Sequence, residues 1–145
     1  MLIPGHLSIG YLLVAGRANA LGRRPHLYTE LLPALIGTLT PDLLDKPMMY
    51  LGLTPYGRTV GHSLVLLVLA TLVWALASQR KWIATTALGW WTVGIASHHV
   101  ADFVNDIIYS GNVITAWFMW PYRTPDDWRW KIEMVLFPCH SCYTP

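Results

Sequence analysis

Charge is scarce in this sequence. Lys, Arg, Asp and Glu make up 12% of its 145 residues, about half the roughly 25% of an average soluble domain. So few charges cannot cover an ordinary water-facing surface, and the deficit points to lipid as the main solvent. The 54% hydrophobic content, eight tryptophans and seven tyrosines agree, because amphipathic rings favour the membrane–water boundary. The formal net charge is only +2, and no Lys/Arg stripe exists for a phosphate backbone to track, so composition indicates no nucleic-acid partner. Cysteine is nearly absent. Cys139 and Cys142, in "FPCHSCYTP", are too few for a disulfide framework, and the His between them breaks a haem-attachment pattern. They read as a feature of the tail, with a local disulfide or metal contact as the alternatives. Also missing are HExxH, GxSxG and a phosphate-cradling Walker loop, so none of these local motifs accounts for the six histidines.

What is present is oily and segmented. Residues 60–78, "VGHSLVLLVLATLVWALAS", and 82–104, "WIATTALGWWTVGIASHHVADFV", approach or exceed the roughly 20 residues that span a bilayer. Residues 2–16 and 27–41 are shorter and broken by Gly and Pro, which suits tilted spans, half-spans or helices packed inside a bundle. The patch "VITAWFMWPY" at 113–122 is too short to cross alone and reads as interfacial or re-entrant. The expected fold is therefore all-α: an integral membrane bundle of about four helices, two of them short or tilted, with an interfacial aromatic C-terminal segment. The expected domain is residues 1–122, followed by a surface or interfacial tail at 123–145. Ala18-Asn19-Ala20 imitates a signal-peptide cleavage site, but no Lys or Arg precedes the apolar run, so the N-terminus is expected to be retained. No sustained small-xxx-small face indicates an oligomeric state.

If the four segments are antiparallel neighbours, Arg17, Arg23, Arg24, Arg80 and Lys81 lie at one end, which the positive-inside rule makes cytoplasmic. His6, Asp42, Asp45, Arg58, His62, His98, His99 and Asp102 then lie at the other. In "HHVAD", His98 and Asp102 are four apart and share a helix face, while His99 points about 100° away. In "GTLTPDLLDKP", Pro41 can start a helical turn on which Asp42 and Asp45 share a face, and Pro47 limits its extension. Two carboxylates so close repel unless a cation or proton is shared. Arg58 and His62 stand at the mouth of the third segment and His6 at the mouth of the first. Imidazole with carboxylate suits zinc or manganese, and with no thiolate in the set such a site favours hydrolysis over structural clamping.

The stretches "PGHLSIGYL", "GTLTPDLLDKP", "GRTVGHSLV" and "SHHVAD", in that order and followed by "FMWPY", resemble the YdjM-like, inner-membrane-associated metal-dependent hydrolases over roughly residues 1–122. The resemblance implies His6, Asp42, Asp45, His62, His98 and Asp102 as metal-site residues, with Arg58 beside them. The order His, Asp, His, then HxxxD is also similar to the first part of the zinc-dependent phospholipase C and single-strand nuclease pattern. The later His and Asp ligands of that pattern have no clear match here.

The expectation is a multi-pass inner-membrane hydrolase with its site on the non-cytoplasmic side. It would use one or two divalent ions, zinc or manganese, to cleave a phosphate ester of a lipid or lipid-linked substrate. His62, His98, Asp45 and Asp102 are the leading ligands, with Asp102 able to bridge to a second ion on His6. Asp42 serves as ligand or base, Arg58 neutralises phosphate charge, and Lys46 is a lesser electrostatic helper. The same residues admit two other readings, a metal-ion binding or transport protein and a non-catalytic scaffold stapled by metal.

Overall fold

The structure is a computed structural model and describes residues 3–54, 57–81 and 84–110. The described residues form four α-helices and no strand: α1 Ile3–Ala20, α2 Leu32–Tyr50, α3 Leu64–Gln79 and α4 Thr85–Ser110, with a π-helical turn at Leu27–Leu31 leading into α2. The aromatic patch 113–122, the tail 123–145 and both cysteines lie outside the described residues.

The all-α expectation holds, but the element boundaries move. α2 runs through Pro41 and Pro47 to Tyr50, although each proline removes a helical N–H and crowds the preceding turn. Tertiary packing overrides that local tendency: Pro41 is buried, and α2 makes the most extensive helix contact in the protein, against α4. The third helix starts at Leu64 and not at Val60, because the N–H groups of Thr59, Gly61 and His62 bond to the Asp45 carboxylate. The first N–H groups of a helix have no partner within it in any case, so these bonds fix the path of the loop round Asp45, and the helix begins after it at Leu64.

The expected division into two full spans and two shorter helices is not what forms. The shortest helix is α3, with 16 residues, about 24 Å at 1.5 Å per residue, against a hydrocarbon core of roughly 30 Å. α4 has 26 residues but carries His98, His99, Asp102 and Asp106 in its second half. Among the described residues no helix is both long and apolar enough to cross a membrane.

The α2–α4 contact depends on two glycines. A Cβ on Gly37 would strike the carbonyl oxygen of Trp91, and one on Gly94 would strike that of Ala34. The bare backbones let the helices close up, which sets the distance between Thr38 on α2 and His98 on α4.

Polarity is distributed inside out. The buried hydrophobic residues are mostly small, such as Ala34, Ala70, Ala77 and Ala101, whereas His6, Glu30, Asp45, His62, His98, His99, Asp102 and Asp106 are all buried. Large apolar side chains including Leu12, Ile36, Leu43, Val68, Leu72 and Leu76 are exposed.

At the end carrying Arg17 and Arg23, Glu30 gathers the charge. Arg23 donates to it at 2.8 Å through Nη1, the His26 N–H donates at 2.9 Å, and Arg17 lies 3.5 Å away. The hydrogen bond from Arg23, reinforced by that N–H, holds the Glu30 carboxyl at about 2, below its ordinary 4.5. Arg17 also lies over the Trp90 ring, 5.7 Å from its centroid, which ties α1 to the start of α4.

Candidate metal centre

At the other end of the bundle, the loop 57–63 is folded onto α2 around Asp45, whose side chain is fully buried. Asp45 Oδ2 accepts from the Thr59 N–H at 2.7 Å and the His62 N–H at 3.1 Å. Its Oδ1 accepts from the Gly61 N–H at 2.8 Å and the Thr59 hydroxyl at 3.0 Å. The loop can lie this close because Gly61 has no side chain: a Cβ there would meet the carbonyl oxygen of Pro41. A carboxylate that receives three backbone N–H groups is strongly favoured as the anion.

That anion sets the tautomer of His62, whose Nδ1 lies 2.7 Å from Asp45 Oδ2 and therefore donates. His98 is fixed in the same way, with Nδ1 2.7 Å from the Thr38 carbonyl oxygen, a group that only accepts. In their neutral forms both rings then carry a lone pair on Nε2, and these two atoms face each other at 3.2 Å. Asp102 Oδ2 is 3.5 Å from the first and 3.6 Å from the second, and Asp42 Oδ1 is 3.7 Å from His62 Nε2. Electron pairs thus converge on one buried point from α2, α4 and the loop, and only a cation or a proton reconciles them.

The set fits a divalent ion by two measures. With metal–ligand bonds near 2.0–2.1 Å, tetrahedral donors lie roughly 3.3 Å apart, close to the 3.2, 3.5 and 3.6 Å separations among His62, His98 and Asp102. Charge agrees: four carboxylates, Asp42, Asp45, Asp102 and Asp106, gather here, with Lys46 2.8 Å from Asp42 and Arg58 3.0 Å from both Asp102 and Asp106. Among the described residues, two groups of three have ligand atoms within 4.8 Å of one another, Asp42/His62/His98 and His6/His98/Asp102.

His6, Asp42, His62, His98 and Asp102 are therefore brought together. Asp45 joins neither group, because its oxygens face the loop and the back of His62. His6 Nε2 lies 3.3 Å from Asp102 Oδ1, and its ring stacks on His98 with centroids 3.9 Å apart and planes at 16°. Its Nδ1 is buried without a hydrogen-bond partner. His99 turns back to its own helix, with Nδ1 donating to the Ile95 carbonyl at 2.8 Å, in keeping with its divergence from His98. Arg58 is only partly exposed and bridges Asp102 to Asp106. Sequence reasoning missed Asp106, although a signal was available: His98, Asp102 and Asp106 repeat every four residues along one face. Thr59 gave no signal, because its role depends on the loop reaching Asp45. A groove of about 220 Å³ is lined by Asp42 and Lys46 together with Ile3, Leu39, Leu43 and Tyr50.

A family model described as YdjM inner membrane protein matches residues 1–144. The chain belongs to this family. YdjM membership accounts for nearly the whole sequence, extending past residue 122 into the tail, and the family description places such chains at the inner membrane. No curated protein and no solved structure matches the chain.

Proposed function

We propose that this YdjM-family chain is a membrane-embedded, metal-dependent hydrolase acting on a phosphate ester of a lipid or lipid-linked molecule. The observation that carries the reading is the pair of Nε2 atoms 3.2 Å apart, each with its proton directed to the far side of the ring. Outer hydrogen bonds of this kind are how metal-ligating histidines are oriented.

His62, His98 and Asp102 would hold the ion, zinc or manganese. When bound, it supplies Lewis acidity, lowering the pKa of water and polarising a phosphoryl oxygen. Three protein ligands with a fourth place open is the arrangement of catalytic zinc sites. Asp42 stands beside that place, more open to solvent than the other three, and would orient the attacking water and take its proton. Lys46 holds Asp42 on its other oxygen, and Arg58 supplies positive charge to the phosphate as it develops negative charge. Asp45 acts one step back, fixing His62. The apolar groove ending at Asp42 and Lys46 suits a substrate with an oily part beside its phosphate.

The inside-out polarity supports a multi-pass position in the bilayer, with the four helices shielding the site and the turn around Arg23 at the membrane surface. With Arg17, Arg23, Arg24, Arg80 and Lys81 on the cytoplasmic side, the site faces the other way. Buried ionisable groups in such a setting are usually paired or functional. Their gathering at the two ends, without a series across the bundle among the described residues, is unlike an ion path.

Elemental analysis of detergent-purified protein, with His98→Ala alongside, tests the reading together with turnover of a phosphodiester and phospholipid panel. The expected result is bound divalent metal, lost in the variant, and metal-dependent cleavage. Protein purified without chelators that contains no metal overturns it. Metal with ion flux into liposomes and no cleavage establishes transport in its place, and metal whose removal only unfolds the chain establishes the staple.

A further inference from the structure

Resting on the bilayer position proposed above and not on the metal centre, we propose that a groove at the basic end of the bundle binds an anionic phospholipid whose headgroup carries no amine, of the phosphatidylglycerol class. α1 and α3 both pack against α4. A groove of about 310 Å³ opens over the first turns of α4, lined by Arg17 of α1, Trp74 of α3, and Thr86, Gly89, Trp90 and Val93 of α4. Its floor depends on a missing side chain: a Cβ on Gly89 would come within 2.9 Å of Trp74 Nε1, so the indole lies against bare backbone. Trp74 stands five residues before the end of α3 and Trp90 five after the start of α4, about 7.5 Å inside the helix ends at 1.5 Å per residue. Indole rings favour that level, where headgroups meet acyl chains.

Charge decides the occupant. Both oxygens of Glu30 already accept from Arg23, and Oε2 accepts from the His26 N–H as well. Arg17 stands farther off, at 3.5 Å, with its side chain 55% exposed and its guanidinium over the Trp90 ring. One carboxylate thus answers two guanidiniums, and Arg17 brings the surplus positive charge to the groove. A guanidinium grips a phosphate in a planar fork, and Trp74, whose indole nitrogen can only donate, lines the same groove. Val93, one turn deeper along α4 and 43% exposed, continues it as a surface for an acyl chain. The amine of phosphatidylethanolamine would bring a cation toward Arg17 and Arg23, whereas an uncharged glycerol does not. Basic pockets between helices at a cytoplasmic face hold acidic lipids on the same grounds.

The test uses the full chain in detergent, with melting temperature and native mass spectra recorded after addition of phosphatidylglycerol, phosphatidylethanolamine or inorganic phosphate. Wild type is expected to retain phosphatidylglycerol and melt higher with it, and to respond to neither of the others. Arg17→Gln should lower that affinity about fivefold, the weight of one basic residue at a membrane surface. Arg17→Lys should restore most of it, and Arg24→Gln, a loss of charge outside the groove, should leave it intact. An equal response of wild type to phosphatidylethanolamine or to inorganic phosphate overturns the proposal, and needs no variant to fold. So does an Arg24→Gln variant as weak as Arg17→Gln, which would make the preference one of diffuse charge. A change from dimer to monomer in Arg17→Gln, with lipid preference unaltered, overturns it too and makes the groove a contact between copies. Metal does not enter these readouts, so a chain that holds no ion yet prefers phosphatidylglycerol loses the hydrolase reading alone.

Discussion

At the residue scale, the centre is decided by which atom of each side chain is already occupied. Asp45 was expected as a ligand beside Asp42, but its four contacts with the loop and its bond to His62 Nδ1 occupy both of its oxygens and make it the support of His62. Asp45→Asn should weaken metal binding about 10–100-fold, the usual effect of losing an outer partner, and lower stability by about 1.5–3 kcal/mol through loss of a charged acceptor. Metal titration and denaturation of the same preparation separate the two effects. The two neighbouring histidines should behave differently: His98→Ala should release the ion, and His99→Ala should retain it, as elemental analysis would show. That contrast was legible in the sequence, because helical spacing alone sends His98 and His99 in different directions. The hydrogen bonds of His98 to Thr38 and of His62 to Asp45 were not, since each joins elements distant in the chain.

At the element scale, the meeting of α2 and α4 positions the clustered His and Asp side chains. Gly37 and Gly94 let the backbones touch, and the Thr38 carbonyl then reaches His98. Gly94→Ala should destabilise the fold by about 1–3 kcal/mol, the usual effect of overpacking, and weaken metal binding as well, because separating the helices draws His98 away from Thr38. Loss of stability with unchanged metal affinity would show that the contact serves the fold alone. Pro41 and Pro47 misled the reading of α2 because a proline rule describes an isolated helix, whereas this one is held along its length by α4. The start of α3 was misplaced for a related reason. Val60–Ser63 leads straight into the apolar run and reads as its beginning, but there the backbone wraps round the Asp45 carboxylate.

At the scale of the whole molecule, buried charge at both ends of the bundle contrasts with an apolar exterior. Glu30, with its carboxyl held at about 2 against an ordinary 4.5, binds a proton less tightly in the folded chain than in the unfolded one and so favours the folded state where it is ionised. Its stabilisation is complete above about 4.5 and is lost as pH falls toward 2. The gap in melting temperature between wild type and Glu30→Gln should therefore be widest near neutral pH and close as the solution is acidified. A gap independent of pH would mean that Arg23 does not discriminate between the two. Membrane placement has its own readout: in a background lacking Cys139 and Cys142, a cysteine introduced at Leu72 should resist a water-borne maleimide in liposomes, and one introduced at Leu21 should react. Composition and order of motifs by themselves determined the all-helical class and most of the residues that meet, because hydrophobic periodicity and helical spacing are local properties. Only the tertiary structure decided which of those residues converge on one buried point, that Asp45 fixes His62 from behind, and that Arg58 lies between Asp102 and Asp106. Those assignments depend on hydrogen bonds and charges brought together from separate elements, and their geometry exists only after the helices have packed.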